Sequence, residues 1–255
     1  MSIGVHGSPI PDDSQFRLER EANRNSQALD TGLRQAAVDL QLRADRHGYT
    51  YSFEWCGVPV IRLPDDIIVF QEMIWEERPS FVIETGVARG GGLVLSASLM
   101  EMAGLSPRVL GIDIQILPHA RLAIEASRFS PAIELVEADS VGPDAVMAVQ
   151  RLIEAAGATS GLMILDSNHT HEHVLAELRA LAGLLPVGSL IVVADTLVEE
   201  MPEGTYPGRP WDKGNNPMTA VSQFLEETQD FQRSLDWGRR GLLTENRDGV
   251  LIKLA

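Results

Sequence analysis

Five short apolar segments recur between residues 81 and 195, and each is followed by a stretch with helical spacing. They are rich in β-branched residues and read FVIE (81–84), RVLGID (108–113), IELVEA (133–138), LMILD (162–166) and SLIVVAD (189–195). Continuous apolar strands that alternate with helices are typical of a parallel sheet covered on both faces. The units share spacing but not sequence, so the pattern predicts an α/β fold and excludes a solenoid.

The region before this alternation predicts a helical extension. One helix is expected from Asp13 or Ser14 to about Arg46, and it either faces solvent or packs on a partner subunit. The first dozen residues are rich in Gly, Pro and Ser and are expected to be loosely ordered.

Three further signals complete the outline of the chain. The segment 49–66 predicts a short hairpin or extended segment, and Pro64 then begins a helix that ends at Arg78. The turn signal Asn246–Gly249 lies between two apolar runs and predicts a C-terminal antiparallel hairpin. We therefore expect an N-terminal extension over residues 1–63 and a main domain over residues 64–255.

Charge and composition restrict the class of partner. The chain has 255 residues and a formal net charge of −15, so we expect no nucleic-acid partner. The single cysteine, Cys56, excludes an internal disulfide framework and favours a cytoplasmic location. No apolar run reaches the ~20 residues of a membrane span, and the start lacks the apolar core of a signal peptide.

The first predicted strand runs directly into a glycine-rich turn. Gly86 and Gly90–Gly92 follow the acidic residue Glu84, and a helix follows the turn. Glycines permit positive φ and close approach of a ligand, and the helix N-terminus offers free N–H groups. Since Glu84 would repel a pyrophosphate, we expect a ligand with a cationic amino end, such as the methionyl part of S-adenosylmethionine. The alternative is a tight turn that serves helix packing.

Two more strands end in polar residues. Asp113 closes the second strand and could accept both hydroxyls of a ribose, while Asp139-Ser140 closes the third, where an adenine would lie. Each residue could instead cap the helix that follows it. Together they place acceptors along the carboxyl edge of the sheet, where open α/β sheets bind ligands.

The fourth and fifth strands end in carboxylates. Because neighbouring strands lie ~5 Å apart, Asp166 and Asp195 could converge on one Mg²⁺, Mn²⁺ or Ca²⁺ ion. The alternative is that each orders its own turn. Three alternating histidines follow Asp166, and we take His169, nearest the strand end, as a general base. His171 and His173 are assigned to the helix start and to packing.

A stretch of about twenty residues after the fifth strand is dense in Gly and Pro, and long loops of this kind are usually functional or disordered. It offers side chains that could stack on or hydrogen-bond a sugar, or alternatively form an oligomer contact. The candidate substrate residues are Tyr206, Trp211, Lys213, Asn215 and Asn216.

Several segments together resemble the cephalosporin hydroxylase (CmcI-type) family, which includes rhamnosyl O-methyltransferases and is similar to class I S-adenosylmethionine-dependent methyltransferases. The segments are WCGVPVIRLPDD, IETGVARGGG, GIDI, LDSNHTHEHVLAEL and VVADT with YPGRPWDKGNNPMTAV. The resemblance runs from about Trp55 to the C-terminus. It implies a mostly parallel seven-stranded Rossmann-like sheet, bound S-adenosylmethionine, often Mg²⁺, and a homo-oligomer.

The resemblance also assigns residues. It implies that Asp166 and Asp195 bind the metal. From their positions at the end of the fourth strand, we take Asp166 and His169 as the catalytic residues. Ala194 departs from the family, whose founding type has a second carboxylate there, so water or Thr196 would complete a metal site, or no metal binds. The implied cofactor residues are Glu84, Thr85, Gly86, Ala88, Gly90, Gly91, Asp113, Ile114, Asp139 and Ser140.

Three functions follow as hypotheses. The first is an S-adenosylmethionine-dependent O-methyltransferase that acts on a sugar hydroxyl, in a nucleotide sugar or a glycosylated natural product, assisted by Mg²⁺ or Mn²⁺. The second is an accessory or catalytic component of cephalosporin-type hydroxylation. The third is a binding protein that has kept the nucleoside pocket without catalysis.

Overall fold

The computed structural model describes residues 13–157 and 159–255, and its centre is a seven-stranded sheet. Five parallel strands, β3 to β7, are followed along the chain by an antiparallel pair, β8 and β9, which completes the sheet in the order β5-β4-β3-β6-β7-β9-β8. The strands are β3 (Val82–Thr85), β4 (Val109–Asp113), β5 (Ile133–Glu137), β6 (Leu162–Leu165), β7 (Leu190–Val193), β8 (Phe231–Arg233) and β9 (Val250–Lys253). The predicted fold class is confirmed.

Helices cover both faces of the sheet, which explains why the central strands are apolar throughout. One face packs against α3 (Pro64–Glu77), α4 (Gly91–Met102) and α5 (Pro118–Ala126). The opposite face packs against α6 (Pro143–Ala156), α7 (His171–Leu181) and α8 (Pro217–Glu227). The helix predicted to begin at Pro64 and end at Arg78 is thereby confirmed.

The N-terminal extension contains two helices where the sequence predicted one. Helix α1 (Ser14–Leu29) ends at Asp30, and α2 (Thr31–Asp45) begins immediately after it. The Asp30 side chain accepts a hydrogen bond from the Leu33 amide at 2.9 Å, so it caps α2 and stops the helix before it. No residue of α1 is buried within this chain, so the choice between solvent and a partner subunit stays a prediction. The prediction of a loose start falls on residues 1–12, outside the described residues.

The predicted short hairpin is present and belongs to the core of the molecule. Strands β1 (Phe53–Trp55) and β2 (Val58–Val60) pair antiparallel, and the Trp55 indole donates a hydrogen bond to Ser98 of α4 at 2.7 Å. Val58 and Val60 are buried with the residues of the sheet. The boundary at residue 63 stays a prediction, since the hairpin before it packs directly against α4.

The C-terminal antiparallel pair exists, but its predicted partner strand is wrong. β9 pairs with Phe231–Arg233 and not with the apolar run just before the Asn246–Gly249 turn. That run is held elsewhere, because the Leu242 and Leu243 amides both donate to the Asp65 carboxylate at 3.0 Å. Within residues 13–157 and 159–255, no helix combines the length and the apolar character that a bilayer crossing requires.

Candidate active site

A cavity of about 430 Å³ opens at the carboxyl ends of the parallel strands, a volume within the range of small-molecule sites. Six of the ten residues that the sequence assigned to the cofactor line it, and Asp166, Ser167, Asn168 and His173 complete the lining. The six are Gly86, Ala88, Asp113, Ile114, Asp139 and Ser140.

Most glycines of the glycine-rich turn are required because neighbouring segments pack closely against the backbone there. Gly86 has φ +90°, and a Cβ there would lie 2.0 Å from the Asp166 carbonyl oxygen. A Cβ on Gly90 would lie 2.8 Å from Ile124 of α5, and one on Gly91 would lie 2.2 Å from the Pro59 carbonyl oxygen. Gly90 and Gly91 therefore permit contact between α4 and its neighbours, and neither lines the cavity.

Glu84 and Thr85 lie behind this turn and do not line the cavity. Glu84 is 4% exposed, and its Oε1 accepts a hydrogen bond from the Arg62 guanidinium at 2.8 Å. Burial raises the pKa of the Glu84 carboxyl, and Arg62 opposes that rise. Glu84 Oε2 and Thr85 Oγ1 are buried without a hydrogen-bond partner among the described residues. The binding roles predicted for these two residues stay predictions.

The acidic ends of β4 and β5 are anchored by backbone amides. Asp113 accepts from the Val87 amide at 2.8 Å and from the Gln115 amide at 3.0 Å, so its carboxylate is fixed beside the glycine turn. Asp139 accepts from the Val141 amide at 3.2 Å, and Ser140 follows it into the cavity wall. Both acids therefore order their own turns, and both residues line the cavity.

Asp166, His169 and Asp195 form a compact cluster at the ends of β6 and β7. One ligand atom from each lies within 4.8 Å of the others, and His169 Nε2 is 3.2 Å from Asp195 Oδ2. The two strands are adjacent and parallel, as the sequence predicted. Burial raises the pKa of Asp166 to about 7, although Arg62, 3.7 Å away, opposes the rise.

The other two histidines have different surroundings. His171 contacts Thr219 at 2.8 Å and Gln223 at 2.9 Å, so it joins α7 to α8 as a packing residue. His173 lies between Ser140 and Ser167, at 3.2 and 3.1 Å, and lines the cavity. The assignment of His173 to packing alone is incomplete, because the first turn of α7 directs its ring toward the end of β5.

The loop over residues 201–216 brings one of its candidate residues to the cluster. The Trp211 ring meets the His169 ring edge-on, with centroids 4.8 Å apart. Lys213 is exposed, and Asn215 accepts from the His171 amide at 3.1 Å. Asn216 is buried and caps α8. Asn215 and Asn216 therefore order the loop and the helix after it.

Tyr206 holds this loop to the N-terminal extension. Its hydroxyl donates a hydrogen bond to Asp45 of α2 at 2.8 Å, and its ring packs against a small apolar cluster with Val38 and Met201. Burial and the neighbouring Asp45 charge raise the pKa of the Tyr206 hydroxyl. Tyr206 is therefore anchored within the chain, and the substrate contact predicted for it stays a prediction.

Comparison with known proteins places the chain among relatives. The family model described as rhamnosyl O-methyltransferase/CmcI matches residues 47–254. The chain belongs to this family. It is 31% identical over 201 residues to a rhamnosyl O-methyltransferase of Mycobacterium tuberculosis, covering 78% of this chain and 77% of the relative. A rhamnosyl O-methyltransferase of Mycobacterium leprae is 32% identical over 201 residues, covering 78% and 82%.

Solved structures of CmcI share the fold of this family member. The apo-structure aligns with a TM-score of 0.58 at 20% identity, covering 80% of this chain and 77% of that chain. A structure of CmcI with Mg and SAM aligns with a TM-score of 0.55 at 21% identity, covering 80% and 78%. Family membership identifies this protein as an O-methyltransferase and favours that function over hydroxylation.

Sequence reasoning missed three cavity residues of this methyltransferase. Ser167 and Asn168 directly follow Asp166 at the end of β6, so the rule that selected Asp139-Ser140 on β5 could have found them. His173 gave no such signal, because its position depends on where α7 begins. Arg62 was also missed, since it meets Glu84 and Asp166 only in the folded chain.

Proposed function

We propose that this methyltransferase acts on a hydroxyl of a rhamnosyl or related sugar residue, in a nucleotide sugar or a glycosylated natural product. The observation that carries the proposal is the identity of 31% to rhamnosyl O-methyltransferases across most of both chains. Trp211 beside His169 also supports a ring-shaped polar acceptor, because aromatic side chains stack on sugar rings.

S-Adenosylmethionine would supply the methyl group from the cavity at the strand ends. Asp113 presents oxygen atoms for the ribose hydroxyls, and Ser140 and Asp139 border the space for the adenine. The unpaired Oε2 of Glu84 is an acceptor behind the methionyl end of this space. The fixed turn holds the donor in place, so the protein's main contribution is to position the two reactants.

His169 is suited to take the proton of the acceptor hydroxyl. Its Nε2 faces Asp195, while Nδ1 makes no hydrogen bond within the described residues. An Nε2–H donated to Asp195 leaves the lone pair on Nδ1, which then accepts the proton, and the Asp195 carboxylate stabilises the resulting imidazolium. Asp195 therefore orients the base and offsets the charge that it gains.

Asp166 and Asp195 fit a divalent cation. Half-buried carboxylates this close repel each other unless a cation or a proton offsets their charge. Mg²⁺ or Mn²⁺ would supply Lewis-acid stabilisation of the developing alkoxide. The two aspartates would hold the ion, and Asp195 would meet both the ion and His169.

The test of the proposed acceptor is direct. Purified protein is incubated with S-adenosylmethionine and a panel of rhamnosides, other hexosides and aglycones, and products are identified by mass spectrometry. We expect one added methyl group on rhamnosides or closely related sugars. Methylation of an aglycone hydroxyl, with every sugar left unmodified, would contradict the proposal.

Replacing Asp113 with Ala is expected to weaken S-adenosylmethionine binding by about 1–3 kcal/mol, because ribose hydroxyls and the Val87 amide lose their acceptor. That range corresponds to a rise in Kd of roughly 5- to 150-fold, measured by calorimetry. Asp230→Ala, an exposed acid outside the cavity, is the control and should leave Kd unchanged. Equal Kd values for the two variants would exclude Asp113 from the cofactor site.

Removal of divalent metal is expected to lower activity. Turnover should fall in EDTA and return with Mg²⁺ or Mn²⁺, and Asp195→Ala should abolish the recovery, since one of the two converging carboxylates is lost. Initial rates at saturating substrate measure this. Full activity in EDTA would show that the reaction needs no metal and would leave His169 as the only base.

Two broader proposals rest on the sequence. We retain a homo-oligomer from the family resemblance, and a cytoplasmic location from the single cysteine. Size-exclusion chromatography with light scattering tests the oligomer, and a monomeric mass would contradict it.

A further inference from the structure

The buried face of helix α7 carries one acidic residue among apolar ones. Val174, Leu178 and Leu181 are buried in the core beside the sheet, and Glu177 is buried with them, with 0% of its surface exposed. Taking a carboxylate out of water is costly unless neighbouring groups stabilise its charge. The partners of Glu177 therefore indicate what this acid does in the molecule.

The two side-chain partners of Glu177 both line the cavity at the strand ends. Its Oε1 atom accepts a hydrogen bond from the Ser167 hydroxyl at 2.8 Å and lies 3.5 Å from Nε2 of His173. Its Oε2 atom is buried without a hydrogen-bond partner among residues 13–157 and 159–255. Ser167 and His173 form the cavity wall together with Asp139 and Ser140. The buried acid therefore acts on the wall of the cavity.

The carboxylate fixes the direction of every hydrogen bond in this group. A carboxylate only accepts, so the single hydroxyl hydrogen of Ser167 is donated to Glu177. The Ser167 oxygen can then only accept from His173 Nε2, which is 3.1 Å away, so this nitrogen carries a hydrogen. Because Nε2 then has no lone pair, the Ser140 hydroxyl, 3.2 Å from it, cannot donate to it.

The hydroxyl hydrogen of Ser140 is consequently free for a ligand. In the part of the chain that the structure describes, the Ser140 side chain makes no hydrogen bond other than the one with His173, and it lines the cavity. The hydrogen bond with Glu177 raises the pKa of the His173 imidazole. A protonated ring also carries a hydrogen on Nε2, so the direction is the same in both charge states of His173.

We propose that Glu177 is a positioning residue that makes the Ser140 hydroxyl a hydrogen-bond donor to a ring nitrogen of the adenine. The inference rests on the proposed S-adenosylmethionine site, in which Asp139 and Ser140 border the adenine. The ring nitrogens of adenine carry lone pairs, so they match a hydroxyl that donates. A base with a hydrogen on that nitrogen would bring two donors together. The group therefore selects the base by the lone pair that it offers.

The test compares S-adenosylhomocysteine with analogues in which one adenine ring nitrogen at a time is replaced by C–H. Kd is measured by calorimetry on the full chain for wild type, Ser140→Ala and Glu177→Leu. For wild type we expect one analogue to bind roughly 2- to 12-fold more weakly than S-adenosylhomocysteine, the range for one neutral hydrogen bond. Ser140→Ala should bind the two ligands equally, and Glu177→Leu should bring their Kd values closer together.

The ratio of these two Kd values distinguishes positioning from packing. Glu172→Leu, which replaces an exposed acid of the same helix, is the matched control and should keep the wild-type ratio. If Glu177 served helix packing alone, Glu177→Leu would weaken all ligands by one factor and leave the ratio intact, which would overturn the proposal. A wild-type ratio in Ser140→Ala would overturn it as well.

Two further outcomes separate this inference from the proposed function. Wild type that does not bind S-adenosylhomocysteine would reject the cofactor site itself, whereas wild type that binds it and all analogues equally would reject only the role of Ser140 and Glu177. A crystal structure with S-adenosylhomocysteine needs no variant. We expect the Ser140 hydroxyl within about 3.2 Å of an adenine ring nitrogen, and a base with no ring nitrogen at that distance would reject the proposal.

Discussion

Gly86→Ala is expected to abolish S-adenosylmethionine binding, because the turn that lines the cavity cannot form. It is also expected to lower the free energy of unfolding by more than about 3 kcal/mol. The new Cβ would lie 2.0 Å from the Asp166 carbonyl oxygen, and both belong to backbone at the ends of adjacent strands. Neither can move without separating β3 from β6. Denaturant unfolding followed by circular dichroism measures the loss, and calorimetry measures cofactor binding.

Gly104→Ala is the matched control for this variant. Gly104 has φ +71°, similar to Gly86, but a Cβ there meets nothing within 4 Å. Its expected cost is therefore the backbone term alone, about 1–2 kcal/mol. Equal destabilisation by the two substitutions would mean that Gly86 matters only for its backbone conformation, contrary to the close contact with Asp166.

His169→Ala is expected to lower kcat by at least ~100-fold, which is the low end of what a positioned general base contributes. The Kd for S-adenosylmethionine should not change, since His169 is not among the residues that line the cavity. Single-turnover rates at saturating cofactor, together with calorimetry, separate the two effects.

His171→Ala provides the corresponding control, because this histidine also lies at the start of α7 but contacts Thr219 and Gln223. We expect it to lower Tm while kcat stays within a few-fold of wild type, since ordinary packing changes do not remove a base. A kcat in His169→Ala equal to that in His171→Ala would exclude His169 as the base.

The parallel part of the sheet could be predicted because strands that are buried on both faces appear in the sequence as continuous apolar runs. Strands β3 to β7 match the five apolar segments, and their polar final residues mark the edge where the cavity opens. The proximity of Asp166 and Asp195 followed from the same logic, since consecutive parallel strands were expected to be neighbours. The spacing of the strands along the chain was sufficient to predict this proximity, because Asp166 and Asp195 each directly follow a regular strand.

The remainder depended on contacts between segments distant in sequence. A glycine can permit the close approach of either a ligand or a neighbouring segment, and the sequence does not show which. For Gly91 the segment that approaches closely is the hairpin, at Pro59. The sequence also could not show that Arg62 lies beside Glu84 as a buried cation, because the two residues meet only in the folded chain. The partner of β9 was wrong because Asp65 binds the preceding apolar run. None of these contacts can be predicted without knowing which distant segment packs against the residue in the folded chain.

The position of β9 between β7 and β8 has a consequence for how the molecule is assembled. β8 precedes β9 in the chain, yet β9 is its only strand partner in the described sheet, so β8 cannot join until β9 is in place. The β7–β9 pairing spans about sixty residues, and contacts this distant form slowly because long loops must close first. The Asn246–Gly249 turn reaches its position in that same event. The antiparallel edge of the sheet is therefore completed last, so a chain arrested before this step would have the parallel strands and their cavity without β8 and β9.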